Sequence, residues 1–215
     1  MMQFDYPTDP LEIERRSFAQ IRQLTDLSRF DPDQQQVAMR LVHTSGDPSI
    51  VNDLQFSPNV VTAGIEALQR GAPVLCDVEM VRQGISRRYL KGEVLCFINS
   101  ETVSERAKQS GETRNMAAMA DWSGHLGGSV VAIGNAPTAL FRLLELLYAG
   151  APRPALIIGM PVGFISAQES KQALFEHAPV QLDTPCITLL GRRGGSTLTA
   201  ATVNALARLA QGLRY

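Results

Sequence analysis

Two short segments concentrate residue types able to hold an anion: Gly134-Asn135-Ala136-Pro137-Thr138 and Gly191-Arg192-Arg193-Gly194-Gly195-Ser196. Each follows an apolar run that reads as a buried strand, Val130-Val131-Ala132-Ile133 and Ile187-Thr188-Leu189-Leu190, and each opens onto a helical pattern. A strand, a tight turn and a helix N-terminus aim free backbone N–H groups and the positive end of the helix dipole at one point. In the second turn Arg192 and Arg193 add guanidinium forks, which suit carboxylate or phosphate. The expected ligand is anionic, with Asn135 and Thr138 beside one turn and Arg192, Gly194 and Gly195 at the other.

Three histidines and a few isolated polar residues extend the set. His125 reads as a loop residue, and His177 sits near a helix end before Pro179, where imidazole commonly meets terminal carbonyls. His43 closes a helix, with Met39 and Arg40 one turn back, and projects away from the Val37/Leu41 stripe. A helix C-terminus favours the imidazolium, which would suit a proton or hydrogen-bond donor; a capping or surface role is the plainer alternative. Ser17 falls on an apolar helical face, where it either bonds a backbone carbonyl or lines a cleft. Arg114 and Lys171 each sit in the first turn of a helix, where a cation opposes the dipole. Either an anionic partner or plain solvent exposure accounts for them. Lys171 follows Ser166-Ala167-Gln168-Glu169, which has the spacing of a capping box.

Several chemistries are disfavoured. There is no G-x-x-x-x-G-K-[ST] loop, no early G-x-G-x-x-G after a strand, no H-E-x-x-H or paired Cys/His spacing, and no G-x-S-x-G. Neither a nucleotide hydrolase, a dinucleotide oxidoreductase, a metal centre nor a hydrolase nucleophile is indicated.

The elements that must position these residues fall into two regimes. The first third reads helical. Asp9-Pro10-Leu11-Glu12 opens one helix with an apolar stripe of Ile13, Ile21 and Leu24, and Asp31-Pro32-Asp33 opens a second that stops by Gly46-Asp47-Pro48. A third helical pattern follows Ser57-Pro58 and ends at Gly71. After that, short apolar runs at 73–77, 94–98, 129–133, 155–159 and 186–190 alternate with helical segments. Strands apolar on both faces indicate a mainly parallel sheet covered on both sides. The expected fold is α/β, layered and Rossmann-like, with an N-terminal helical extension and a single domain over residues 1–215. Ligands in such folds bind beyond the strands' carboxyl ends, which brings in Asp77 and Met80.

Composition agrees with a globular protein: 45% hydrophobic and 19% charged residues with a net charge of −1. That charge gives no basic face for nucleic acid. No apolar run reaches the roughly 18 residues of a spanning helix, and the start Met1-Met2-Gln3-Phe4-Asp5 does not read as a signal peptide. Cys76, Cys96 and Cys186 each lie in a strand-like run and read as buried reduced thiols. A cytoplasmic protein is expected.

The segments also share an order with a known family. Ser17-Phe18, the run from Arg40 through His43 to Asp47, and the run from Gly71 through Asp77 to Met80 carry the resemblance in the first half. Gly111-Glu112-Thr113-Arg114, Ile133-Gly134-Asn135-Ala136-Pro137-Thr138, Gly159-Met160-Pro161-Val162-Gly163-Phe164, Ser170-Lys171 and the 191–196 turn continue it. The chain resembles the precorrin-8X methylmutases of cobalamin biosynthesis over nearly its whole length, least in its first dozen residues and around His125. The resemblance implies an isomerase that moves a methyl group from C-11 to C-12 of a corrin-precursor macrocycle, precorrin-8X or cobalt-precorrin-8. It implies no cofactor, no protein metal and a homodimer with sites near the interface. His43 would be the donor to a pyrrolic nitrogen. Arg114, Lys171 and Arg192 would hold the carboxylate fringe, and Ser17, Arg40, Asp77, Met80, Asn135, Thr138, Gly194 and Gly195 would line the cleft. A carrier that holds the macrocycle without changing it is the alternative of another class, and a nucleotide- or sugar-phosphate-binding enzyme a weaker one.

Overall fold

The computed structural model describes residues 4–215, so Met1, Met2 and Gln3 of the acidic start lie outside the described residues. Two Asp-Pro pairs open the chain's first two helices. Asp9 caps α1 (Pro10–Leu24) by accepting the Leu11 N–H at 2.9 Å, and Asp31 caps α2 (Pro32–Ser45) in a full capping box with Gln34. Proline at the first helical position has no N–H to lose and a φ already suited to the helix. Gly46, left-handed at φ 68°, ends α2 where a side chain would be strained.

The remaining elements are β1 (Leu54–Phe56), α3 (Val60–Gln69), β2 (Val74–Cys76), α4 (Glu79–Gly84), β3 (Val94–Leu95), α5 (Glu101–Ser110) and α6 (Arg114–Ala118). After these come β4 (Val130–Ile133), α7 (Pro137–Tyr148), β5 (Leu156–Gly159), α8 (Ala167–Gln181), β6 (Cys186–Leu189) and α9 (Ser196–Ala210). The six strands form one sheet in the order β1-β6-β5-β4-β2-β3, parallel except for β1. Because side chains alternate along a strand, each central strand feeds two cores. Val130, Ala132, Leu156 and Ile158 face α3 and α9, while Val131, Ile133 and Ile157 face α7 and α8. Helix α9 is buried nearly all round, between the sheet and the α1/α2 extension. The expected layered α/β architecture is what the chain adopts.

Four local expectations are corrected. The first third contains a strand: β1 pairs antiparallel with β6, Leu54 opposite Leu189, and three residues give no readable period. The α1 stripe is narrower than Ile13, Ile21 and Leu24, because Ile13 and Leu24 stay exposed while Phe18 and Ile21 carry the contact. Ser166 caps nothing: it is left-handed at φ 61° and makes no side-chain cap bond, so the capping-box spacing is empty of its hydrogen bonds. Helix α8 runs through Pro179 to Gln181, where the missing N–H removes a bond to the Phe175 carbonyl only in the last turn, and His177 meets Tyr148 and Gln181 rather than terminal carbonyls.

Candidate functional site

His43 lies in the last turn of α2, and α1 brings two side chains to it. Ser17 Oγ is 2.9 Å from His43 Nδ1, within hydrogen-bond distance, so the serine faces the imidazole. The neighbouring Phe18 ring stacks on the imidazole at 5.1 Å between centroids and 17° between planes. Partial burial, with Arg40 one turn back and only partly offset by Glu14, holds the imidazole below its ordinary value. This desolvation acts against the helix dipole, which on its own would favour the imidazolium. A shallow recess of ≈ 150 Å³ opens beside it between Ser17, Gln20, Leu24, Gly46 and Pro48.

Arg40 and Thr44 line a second recess of ≈ 170 Å³ together with Met80 from α4 and Thr197 from the start of α9. Met80 is 71% exposed, an apolar side chain presented to solvent at the sheet's carboxyl edge. Arg40 and Met80, far apart in sequence, are therefore brought to one place, next to the turn that precedes α9.

The two glycine turns differ. Below the 134–138 turn, Asp77 is buried, and its carboxylate accepts the N–H groups of Gly134 at 3.0 Å, Asn135 at 2.8 Å and Ala136 at 2.9 Å. The donors expected to face a ligand are already taken, and Asp77 is a brace inside the fold, not a cleft residue. Burial pushes its carboxyl up while these three bonds hold it down. This is also where the strand order reverses, between β2 and β4, the usual ligand crevice of such sheets.

The 191–196 turn is propped the other way. Lys171 is wholly buried and donates from Nζ to the Arg193 carbonyl at 2.6 Å. Burial pulls its ammonium down to about 8, against the pull of Asp53. Lys171 thus lies under the turn, neither exposed nor reaching out to a ligand. Arg193 is also committed, to Asp47 at 2.6 Å and Asp53 at 2.5 Å, which ties the turn to the loop just beyond His43. Gly194 passes so close to Met160 that a Cβ would sit 2.2 Å from its carbonyl oxygen. Arg192 alone points outward, over the exposed Phe164 ring at 5.8 Å. Gly195 makes no side-chain cap, and among the described residues the N–H groups of Ser196, Thr197 and Leu198 find no partner.

Arg114 and Thr138 form a separate rim. Arg114 is exposed but donates to the Ile98 carbonyl at 2.6 Å, and Thr138 bonds Thr113 at 3.1 Å. Asn135 keeps an exposed side chain beside them. Cys96 and Cys186 are inert, their thiols pushed up by burial to about 11 and about 12. Sequence reasoning quoted Phe18 only as part of the resemblance, with no role, and did not single out Tyr215; their rings stack on one another at 4.0 Å behind His43. An aromatic residue at either place carries no spacing signal.

With this geometry in hand, known proteins give a consistent match. A family model described as precorrin-8X methylmutase matches residues 12–209. The precorrin-8X methylmutase of a Sinorhizobium species is 48% identical over 210 residues, covering 97% of this chain and 99% of that protein. The cobalt-precorrin-8 methylmutase of Priestia megaterium is 38% identical, covering 96% and 91%. The crystal structure of a precorrin-8X methyl mutase from Thermus thermophilus superposes with a TM-score of 0.86 at 38% identity, covering 94% of this chain and 98% of that one.

Proposed function

We propose a mechanism from one premise: the chain belongs to the precorrin-8X methylmutase family and is an isomerase of cobalamin biosynthesis. The carrier reading finds no support in that membership. In the reaction the C–CH₃ bond at C-11 breaks and one forms at C-12, with no net gain or loss of protons or electrons. No nucleophile or redox partner is needed. The protein's task is to hold the ring and draw electron density from it.

His43 is the donor in this reading. A neutral imidazole donates from Nε2 only if Nδ1 carries no proton. Ser17 sets that tautomer by donating its hydroxyl to Nδ1, leaving Nε2–H directed to a pyrrolic nitrogen. The 2.9 Å contact between Ser17 and His43 is the observation that carries the proposal. Arg40, Arg192 and the free N–H groups after Gly194 and Gly195 meet acetate and propionate carboxylates, and Met80 packs against the ring. Arg114, Asn135 and Thr138 form the farther rim, while Asp77 and Lys171 act from beneath by fixing the turns.

The recesses at His43 and Arg40 are each smaller than the roughly 300–1,000 Å³ of a typical ligand pocket. Phe164 and Ile165 are more than four-fifths exposed beside the 191–196 turn. A second copy covering that edge would complete the enclosure, so the working form is a homodimer. Light scattering should give twice the chain mass, and a monomeric mass in active preparations would overturn this. The free thiols suit a reducing, cytoplasmic setting. The cobalt-free macrocycle is the preferred substrate, since the relative at 48% identity carries that name and the one at 38% the cobalt name.

The test is the visible spectrum of protein mixed with precorrin-8X, wild type beside His43→Ala. Wild type should give the corrin spectrum, and the variant should bind but isomerise on the order of 10²–10⁴-fold more slowly. Turnover at the wild-type rate in His43→Ala would sink the assignment of the donor. A bound, unchanged spectrum with wild type, followed by turnover of cobalt-precorrin-8, would move the preference to the cobalt form.

A further inference from the structure

Behind the imidazole of His43 stands a column of rings. Phe18 stacks on His43 at 5.1 Å and 17°, and Tyr215 stacks on the other face of this arrangement, against Phe18, at 4.0 Å and 12°. Phe18 is only 2% exposed, so its ring has no freedom except what its two neighbours allow. Tyr215 itself is fixed from three helices. Its N–H donates to Gln36 of α2 at 2.7 Å, its main-chain oxygen accepts from Arg22 of α1 at 2.8 Å, and its ring carries Arg208 of α9 at 4.5 Å. Arg40 lies over the same ring at 6.0 Å. One residue thus gathers the two helices that supply Ser17, Arg40 and His43 and bolts them to the central helix of the fold.

We propose that Tyr215 is a positioning residue for His43, its ring holding Phe18 flat against the imidazole so that the Ser17 contact is kept and Nε2 stays aimed at the substrate. The proposal rests on the reading of His43 as donor. The ring carries the effect, not the hydroxyl: among the described residues Tyr215 Oη is buried with no geometrically formed hydrogen bond, the Arg40 guanidinium standing nearby. Flat stacking restrains both the tilt and the position of a ring, whereas the hydrogen bond from Ser17 alone leaves the imidazole free to swing about that contact. A donor misplaced by a fraction of an ångström loses rate without losing the carboxylate contacts that bind the macrocycle.

Three variants and two readouts test it: Tyr215→Phe, Tyr215→Leu and His43→Ala, with steady-state isomerisation of precorrin-8X and the ¹⁵N-imidazole NMR signals of His43. Tyr215→Leu should lower kcat by about tenfold with KM within about twofold, and should shift the His43 ring nitrogens and move its titration back toward the ordinary value. Tyr215→Phe should restore both to wild-type values. An unchanged kcat and unchanged His43 signals in Tyr215→Leu, with His43→Ala still slow, would overturn the positioning role and leave the donor standing. Wild-type turnover in His43→Ala would instead remove the donor itself. Should Tyr215→Leu fail to fold, Tyr215→Phe decides on the same readouts: a rate or imidazole signal that departs from wild type there would assign the effect to the hydroxyl and overturn the proposal.

Discussion

The 134–138 and 191–196 turns share a pattern in sequence and differ in what lies beneath them. Both link a buried parallel strand to a helix through glycine, and both look like anion sites. Under the first, the buried Asp77 carboxylate takes three N–H groups in a row, so the turn is filled by the chain's own anion. Under the second, the buried Lys171 ammonium donates to a carbonyl, and among the described residues the N–H groups at the start of α9 have no partner. The sign of the prop decides the outcome. A carboxylate beneath a turn repels an anionic ligand and uses up its donors; an ammonium leaves the donors and adds attraction. The same strand–turn–helix signature therefore yields a structural knot in one place and a binding surface in the other.

The largest effect expected from breaking this contrast is on the first turn. In Asp77→Asn, one amide oxygen replaces two carboxylate oxygens, and an NH₂ group is turned toward backbone N–H groups. At least one buried donor loses its acceptor, so stability should fall by about 3 kcal/mol or more. Chemical denaturation should show this as a lower midpoint with an unchanged slope. A midpoint equal to wild type would mean that the turn does not depend on its internal anion, and the contrast with the second turn would fail.

A smaller and different effect belongs to the second turn. Among the described residues the Arg192 side chain makes the contact over Phe164 and no ion pair, so Arg192→Gln should leave the denaturation midpoint unchanged. If it holds a substrate carboxylate, losing one charge-assisted hydrogen bond should raise KM for precorrin-8X about tenfold with kcat within about twofold. A lowered kcat at unchanged KM would place Arg192 in the rearrangement and not at the fringe. Asp77→Asn and Arg192→Gln together separate a turn that holds the fold from one that holds the ligand.

Much of this was legible in sequence, and the reasons for the rest are physical. Asp-Pro starts and Gly46 gave α1 and α2 their bounds because caps are local, and the doubly apolar runs gave the parallel strands because burial on two faces leaves no polar alternation. His43, Arg40 and the turns were visible as residue types at element ends. What was not visible is which groups the chain spends on itself. Asp77 lies 57 residues before Gly134, and Lys171 lies 22 before Arg193, so neither brace leaves a local pattern. Lysine is almost never fully buried, and sequence reasoning accordingly left Lys171 between solvent and ligand. The lowered imidazole value of His43 likewise depends on desolvation that only packing supplies, with the Phe18 ring of another helix stacked on it.

The buried ammonium gives the contrast its finest test. Lys171 loses its proton at about pH 8 in the folded chain, while an unfolded lysine keeps it until about 10.5. Between those values the unfolded state binds more protons, so stability rises with pH, and the buried charge is a liability that disappears as the medium becomes alkaline. In Lys171→Met this dependence is absent. The difference in stability, wild type minus Lys171→Met, should therefore increase by roughly 1 kcal/mol between about pH 7.5 and about pH 9, read from denaturation midpoints of both proteins. A flat difference would mean that the lysine is well solvated or fully paired, and that no uncompensated positive charge lies under the turn. Substrate affinity should run opposite to stability over the same interval, because the proton that destabilises the fold is the one that makes the turn attractive to a carboxylate.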